Sequence, residues 1–324
     1  MKPEKFLTCL ACLCTLSLGA AMPAAAQAYP KGAVKWIVPF PPGGPTDIVG
    51  RIVAQQLQET WGQPVLVENK PGAGTVVGTD AVAKAAPDGH TLGMVVTAHV
   101  INPSLRSGLP YDTLKDLAPV TQVSAQHMAM LAHPSFEAND LPGLIALAKK
   151  NPGKINYATS GAGTALHLTV EMLKTAAGID IVHVPYRGGA QATQAAVANQ
   201  VPIVLEIVYA AKPSLAAGKL KPIALLSPQR AKDYPDIPTI AETVPGVSAL
   251  SMVGVVAPGA TPRPLVQRIS ADIANAVRSS DLNARMIQVG MEPVGNTPEQ
   301  FDAFIRAEIA KWAKVVKESG AKAD

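Results

Sequence analysis

Short apolar runs alternate with amphipathic stretches along most of this chain. The first run, Trp36, Ile37, Val38 and Phe40, has the unbroken character of a buried strand. Pro41, Pro42, Gly43, Gly44 and Pro45 break it. Thr46 and Asp47 then read as N-cap and first-turn residues of a helix over 48–61, whose apolar positions Ile48, Ile52, Val53, Leu57 and Trp61 recur three to five apart. The same grammar repeats downstream. Strands are expected at 64–68, 91–96, 128–132, 155–158, 181–184, 203–208, 222–226 and 253–256. Helices are expected at 76–86, 141–151, 165–177 and 191–199, then two long amphipathic ones at 262–279 and 298–318. Residues 111–123 read as a stretch that carries the chain outward from the first block.

Strands alternating with helices imply right-handed βαβ units and parallel sheets covered on both faces. The expected class is α/β, with two doubly wound domains joined by a hinge. The economical layout inserts residues 126–249 as domain II into a discontinuous domain I made of 29–125 and 250–324. Crossing segments near 119–126 and 245–253 would form the hinge.

The first 28 residues stand apart from this pattern. Lys2 and Lys5 precede the apolar stretch from Phe6 to Ala21, and Ala26-Gln27-Ala28 is a small-x-small cleavage site. That is the layout of an export signal, so residues 1–28 are expected to be removed near Ala28, leaving a periplasmic protein. Cys9, Cys12 and Cys14 all lie in this leader, and the remainder is free of cysteine. Thiolate catalysis, thiolate metal sites and disulfides are thereby excluded from the mature chain. About 300 residues remain, a length that ordinarily splits into two domains. The net charge is only +4, too mild for nucleic acid or an anionic membrane but compatible with a small anion.

Three turns share one physical type: Pro42-Gly-Gly-Pro-Thr-Asp47, Gly72-Ala-Gly-Thr75 and Ser160-Gly-Ala-Gly-Thr164. Each follows a strand and opens a helix, so backbone N–H groups and the helix dipole point at the same spot and favour an anion. In open α/β sheets such turns lie at the carboxyl ends of strands, where ligands bind. One turn from each domain, facing across a cleft, would hold a carboxylate through N–H groups and the hydroxyls of Thr46, Ser160 and Thr164. Helix capping alone would account for any single turn.

Catalytic patterns are weaker. Ser160 lacks the spacing of a nucleophile elbow. Gly72, Gly74 and Gly78 miss the dinucleotide fingerprint by one residue, and no phosphate-loop lysine pattern is present. The six histidines have no metal-ligand spacing, so neither metal nor cofactor is expected. His183 sits mid-strand and reads as a satisfied core histidine. His99 and His167, beside strand ends, are cleft candidates, with packing as the alternative. Glu206 interrupts the apolar run Val204-Leu-Glu-Ile-Val208, which leaves it either facing a polar cleft or paired at a sheet edge. Arg187 is the nearest obvious cation for an anionic ligand, or else a solvated loop residue.

These segments together resemble the Bug family, the periplasmic solute-binding receptors of tripartite tricarboxylate transporters. The resemblance rests on Trp36-Ile-Val-Pro-Phe-Pro-Pro-Gly-Gly-Pro-Thr-Asp47, Gln63-Pro-Val-Leu-Val-Glu-Asn-Lys-Pro-Gly-Ala-Gly74 and Ala83-Lys-Ala-Ala-Pro-Asp-Gly-His-Thr-Leu92. Further matches are Leu109-Pro-Tyr-Asp112, Asn151-Pro-Gly-Lys-Ile-Asn-Tyr-Ala158, Val182-His-Val-Pro-Tyr-Arg-Gly188 and the tail Phe304-Ile-Arg-Ala-Glu-Ile-Ala-Lys-Trp312. It implies a type II-like periplasmic binding-protein fold. It also implies a carboxylate (di-, tricarboxylate or aromatic acid) held at the domain interface, largely by main-chain donors and ordered water rather than by a salt bridge. The matching ligand positions are Gly43, Gly44, Thr46 and Asp47; Thr97, Ala98 and His99; Ser160, Gly161, Ala162, Gly163 and Thr164 with His167; and Glu206. Large and small membrane permease subunits are the implied partners of a monomeric receptor. Three positions depart from the family pattern. Pro45 stands where a small flexible residue is usual, Leu205-Glu206-Ile207 replaces a common Phe-Asp-Asn, and His99 sits in a loop usually lined by small polar residues. A ligand sensor feeding a signalling receptor, and a carboxylate-processing enzyme using Ser160 with His167, are the rival functions.

Overall fold

The computed structural model describes residues 29–322; the leader and its three cysteines lie outside the described residues. In chain order the elements are β1 (Val34–Val38), α1 (Pro45–Trp61), β2 (Val65–Asn69), α2 (Val76–Ala83), β3 (Thr91–Val96), α3 (Ala98–Leu105), β4 (Leu117–Gln126) and β5 (Met128–Ala132). They continue with α4 (Leu141–Lys150), β6 (Asn156–Thr159), α5 (Ala165–Ala177), β7 (Val182–Pro185), α6 (Gly189–Val197), β8 (Ile203–Ile207), α7 (Val208–Ala216) and β9 (Lys221–Leu225). The last are α8 (Ile240–Thr243), β10 (Ser251–Pro258), α9 (Arg263–Arg278), α10 (Ser280–Gln288), β11 (Glu292–Pro293) and α11 (Pro298–Ser319).

Two sheets result, in the orders β11-β4-β10-β3-β1-β2 and β7-β6-β8-β5-β9. The chain passes from the first to the second at His127, between β4 and β5, and returns to the first at Ser251. The sheets are mixed rather than parallel. β2, β1 and β3 are parallel, as are β7, β6 and β8, but β10 and β5 run against their neighbours. The antiparallel strands are those next to the two crossings, where the chain comes in from the other sheet rather than through a βαβ crossover.

β4 is the main departure from the expected elements. Residues 111–123 contain most of a ten-residue strand that pairs with both β10 and β11. Pro119 and the polar Thr121, Gln122 and Ser124 disguise it. Pro119 cannot donate to the ladder, and it sits where the β10 register shifts, between Val255 and Val256. The buried Thr121 hydroxyl donates to Asn296 O (2.7 Å), and the Gln122 N–H donates to Asn296 Oδ1 (2.7 Å). Burial of these groups is tolerated because each has a partner.

α1 begins earlier than expected. Gly44 is its N-cap and Pro45 its first residue, a position where a missing N–H is harmless and a fixed φ is pre-set for the helix. α11 binds the two sheets together. Its buried face of Phe301, Ile305, Trp312, Val315 and Val316 packs on α3 beside the first sheet and on α5 beside the second. Twenty-two residues give it roughly 33 Å of reach. At one end the Phe301 ring lies directly over Gly254 of β10, where a methyl group would collide with it.

Candidate ligand-binding site

A cavity of about 800 Å³ lies between the two sheets. That is the size of site that encloses a small organic ligand. Five helices present their N-cap residues to it: Gly44 of α1, Thr75 of α2, Thr97 of α3, Thr164 of α5 and Ile207 of α7. The unsatisfied N–H groups of first turns and the positive ends of helix dipoles therefore converge from both sheets. Most of the remaining wall is carbon, from Phe40, Val96, Ile101, Leu105, Met128 and Leu166. Positive partial charge against a largely apolar wall is an environment that favours an anion.

The β1–α1 loop supplies Gly43, Gly44 and Thr46 to the wall. It is held from behind by Asp47, whose carboxylate accepts from Gly43 N (2.9 Å), Arg51 Nε (2.9 Å) and Asn69 Nδ2 (2.8 Å). Asn69 Nδ2 also donates to Phe40 O (2.9 Å), and its Oδ1 accepts from Arg51 Nη2 (3.0 Å), so the orientation of every member is fixed. Burial alone would raise the Asp47 carboxyl, but the Arg51, Gly43 and Asn69 donors outweigh it and hold the group below the usual carboxylate range.

The β6–α5 loop supplies Ser160, Ala162, Gly163 and Thr164. The Thr164 hydroxyl accepts the His167 N–H (3.3 Å) as the helix cap and donates to Gly161 O (2.9 Å). Gly163 has φ of +69°, and a methyl group there would lie 2.5 Å from Leu105 Cδ2, on the facing end of α3. The two walls thus touch at this point, and only glycine fits both the backbone and the gap.

Five expected ligand residues lie outside the cavity wall: Asp47, His99, Gly161, His167 and Glu206. Four are engaged elsewhere, and His99 is buried. Asp47 braces its own loop. His99 is buried in α3 with no partner for Nδ1, and burial pushes its pKa down to about 4, so it packs as a neutral ring. Gly161 turns its carbonyl to Thr164. His167 accepts the Gly163 N–H at Nδ1 (3.1 Å), which places its own proton on Nε2, facing Glu171 at 3.7 Å. Its ring stacks on His183, with centroids 4.0 Å apart. His183 is satisfied as expected but lies half-buried on the edge strand β7 rather than in the core: Thr159 Oγ1 is 2.7 Å from its Nε2, and burial, then His167 and Lys174, lower its pKa to about 4.

Glu206 accepts the Ile207 N–H at Oε1 (2.8 Å), with Thr193 Oγ1 at 3.5 Å from Oε2. Its carboxyl packs against Gly189, the first residue of α6, where a methyl group would collide with it. Burial raises its pKa, and the two donors do not cancel that effect. Glu206 thus sits on the central strand of its sheet, off the cavity wall and without an ion pair among the described residues, with the start of α6 packed against its carboxyl. The expected Gly43, Gly44, Thr46, Thr97, Ala98, Ser160, Ala162, Gly163 and Thr164 do line the cavity together.

Several wall residues escaped the sequence argument. Gly74 and Thr75 belong to a turn of the recognised type but were not placed at the ligand. Asn102 and Arg106 lie on α3, a helix hidden by Pro103 and by its lack of a wide apolar stripe. Arg106, not Arg187, is the cation at the wall. The one available signal was the position of α3, directly after the carboxyl end of β3.

The family model for "Tripartite tricarboxylate transporter family receptor" matches residues 49–321. Protein BugT of Bordetella pertussis (strain Tohama I) is 36% identical over 307 residues, covering 94% of each chain. Among solved structures, an R. palustris protein with adipate superposes with a TM-score of 0.79 at 30% identity, covering 91% of this chain and 99% of the other. MatC from Rhodopseudomonas palustris with bound malate gives 0.75 at 32%, covering 89% and 100%. The two-sheet α/β architecture, the converging helix N-termini and these whole-length matches agree: the chain belongs to the tripartite tricarboxylate transporter receptor family of periplasmic solute-binding proteins, which includes the Bug proteins.

Proposed function

We propose that this chain captures a small carboxylate in the cavity between its two sheets and delivers it to a membrane permease of one large and one small subunit. The observation that carries this reading is the convergence of five helix N-caps, from both sheets, on one carbon-walled cavity. The adipate and malate held by the two R. palustris relatives support the same ligand class. Residues 29–125 with 250–324, and 126–249, act as the two halves of a hinge through the crossings beside His127 and before Ser251. A carboxylate touching donors of both halves favours the closed form by its differential affinity, and the closed form is what the permease recognises. Residues 1–28 direct export and are cleaved near Ala28.

Binding rather than catalysis is supported by the state of the one candidate pair. Ser160 would need His167 as its base, yet Nδ1 of His167 is committed to Gly163 and its Nε2 edge turns to Glu171. The test is a thermal-shift screen of residues 29–324 against mono-, di- and tricarboxylates, with phthalate and terephthalate included. A ligand present at a hundred times its Kd stabilises by about 2.7 kcal/mol, enough to move the midpoint visibly. A shift with one class of acid and no consumption of it is the expected outcome. An absence of shift across all classes would refute the proposal.

A further inference from the structure

We propose that Arg106 is the selectivity residue of this cavity and that it selects acids carrying a second anionic group, beyond an apolar body, from the carboxylate held at the helix N-termini. The inference rests on the carboxylate reading above and adds the ligand's second end.

Arg106 is the only charged side chain among the residues that line the cavity. It is half-buried, and its guanidinium is held in place. Nε donates to Asn102 Oδ1 (3.3 Å), and Asn102 Nδ2 in turn donates to Gly74 O (3.0 Å). The tip rests on the Gly74 turn so closely that a methyl group there would lie 2.8 Å from Nη2. No carboxylate among the described residues forms an ion pair with it. Asp80, the acid felt alongside Arg106 at neighbouring Tyr111, is engaged by Lys84 at 2.7 Å. The Nη groups find no acceptor among the described residues, although five N–H bonds radiate from a guanidinium.

A cation in a carbon-rich wall without its counter-ion is costly unless a ligand supplies one. The planar fork matches a carboxylate through two parallel hydrogen bonds, and α3 and the Gly74 turn have already fixed its orientation. The placement also sets the ligand's shape. α3 lies along the cavity, with Thr97 and Ala98 at its N-terminal end, Arg106 just past its C-terminal end, and Ile101 and Leu105 between. Nine residues of rise put roughly 13 Å between the two poles at the backbone. A compact acid cannot use both poles, whereas an extended diacid with a carbon middle can.

The test is calorimetric titration of residues 29–324 with succinate, adipate, suberate and terephthalate, each beside its own monoamide. The amide keeps length and body and removes one charge. The wild-type protein is expected to bind at least one extended diacid about tenfold or more tightly than its monoamide, in line with a charge-assisted hydrogen bond. Arg106→Gln should erase that preference by weakening the diacid alone, and Arg106→Lys should keep part of it. The unliganded melting midpoint of each variant checks that the fold survives. Equal affinity for diacid and monoamide in the wild type, or a preference that persists in Arg106→Gln, overturns the inference while leaving the carboxylate site intact. Failure of every diacid, every monoamide and simple monoacids such as benzoate and hexanoate refutes the carboxylate reading, and the role of Arg106 falls with it.

Discussion

Asp47 offers a sharp test of whether the β1–α1 loop is a ligand contact or a braced scaffold. It stands third after the paired glycines and is an expected ligand residue, yet its carboxylate points away from the cavity into Gly43, Arg51 and Asn69. Asp47→Asn keeps the shape and removes the charge. One carboxylate oxygen becomes an NH₂ group. Asn69 cannot turn over to accommodate it, because its Nδ2 is spent on Phe40 O and its Oδ1 on Arg51. At least one donor then faces a donor, and the bonds that remain lose their charge assistance. Losing one hydrogen bond to a charged group costs about 2 kcal/mol, or roughly 4–8 °C of melting midpoint for a chain of this order of size. The pH dependence has a definite sign. The folded-state pKa is lowered, so the stabilisation is full above the ordinary carboxylate pKa and drains away as pH falls through the folded value. The wild-type advantage over Asp47→Asn should be flat near pH 7 and shrink below about pH 4. The assay is unliganded thermal unfolding across that range. A variant that melts with the wild type at pH 7 but has lost ligand affinity would restore Asp47 as a ligand contact and refute the bracing argument.

Three further perturbations probe other contacts. Gly163→Ala combines a positive φ with a collision against Leu105, so it should lower ligand affinity and cost about 1 kcal/mol or more of stability, with Leu105→Ala restoring part of the loss in a double-mutant cycle. Additive effects would show that the walls do not meet there. Gly189→Ala drives a methyl group into the buried Glu206 carboxyl, and its destabilisation should be relieved when Glu206→Ala is added; a single-site cost unchanged by the second substitution would contradict the packing. His99 and His183 are held to about pKa 4, so between pH 6.5 and 4 the unfolded chain takes up protons that the folded chain refuses. Stability should therefore fall as pH drops through that window, and His99→Gln should flatten part of the slope seen in urea unfolding. An unchanged slope would mean that His99 titrates normally in the fold.

The legible parts of this molecule were those whose local signal and tertiary role coincide. The run from Thr91 to Val96 is apolar because both faces of β3 are covered, and the Ser160–Thr164 turn is glycine-rich because α5 begins against the opposite wall. β4 failed that test. Its polar residues are satisfied by Asn296 and Met291, more than 160 positions away, and no local pattern announces such partners. Glu206 and His167 were suspected for sound reasons, since a charge or an imidazole in an apolar setting demands a partner. The structure pairs Glu206 with the Ile207 N–H and the Thr193 hydroxyl, and His167 with the Gly163 N–H. Arg106 shows the reverse. It looks like any loop arginine in sequence, and only the approach of the Gly74 turn and α3 makes it a wall of the cavity.

The central claim is that one carboxylate binds between the two sheets at the converging helix N-termini. It is tested most directly by calorimetric titration of the acid that gives the largest thermal shift into wild-type protein and into Ala162→Trp, which fills the cavity from the β6–α5 loop. The account predicts one site per wild-type chain and no measurable binding to a variant whose unliganded melting midpoint is unchanged. Equal binding to both proteins would place the ligand elsewhere and contradict the account.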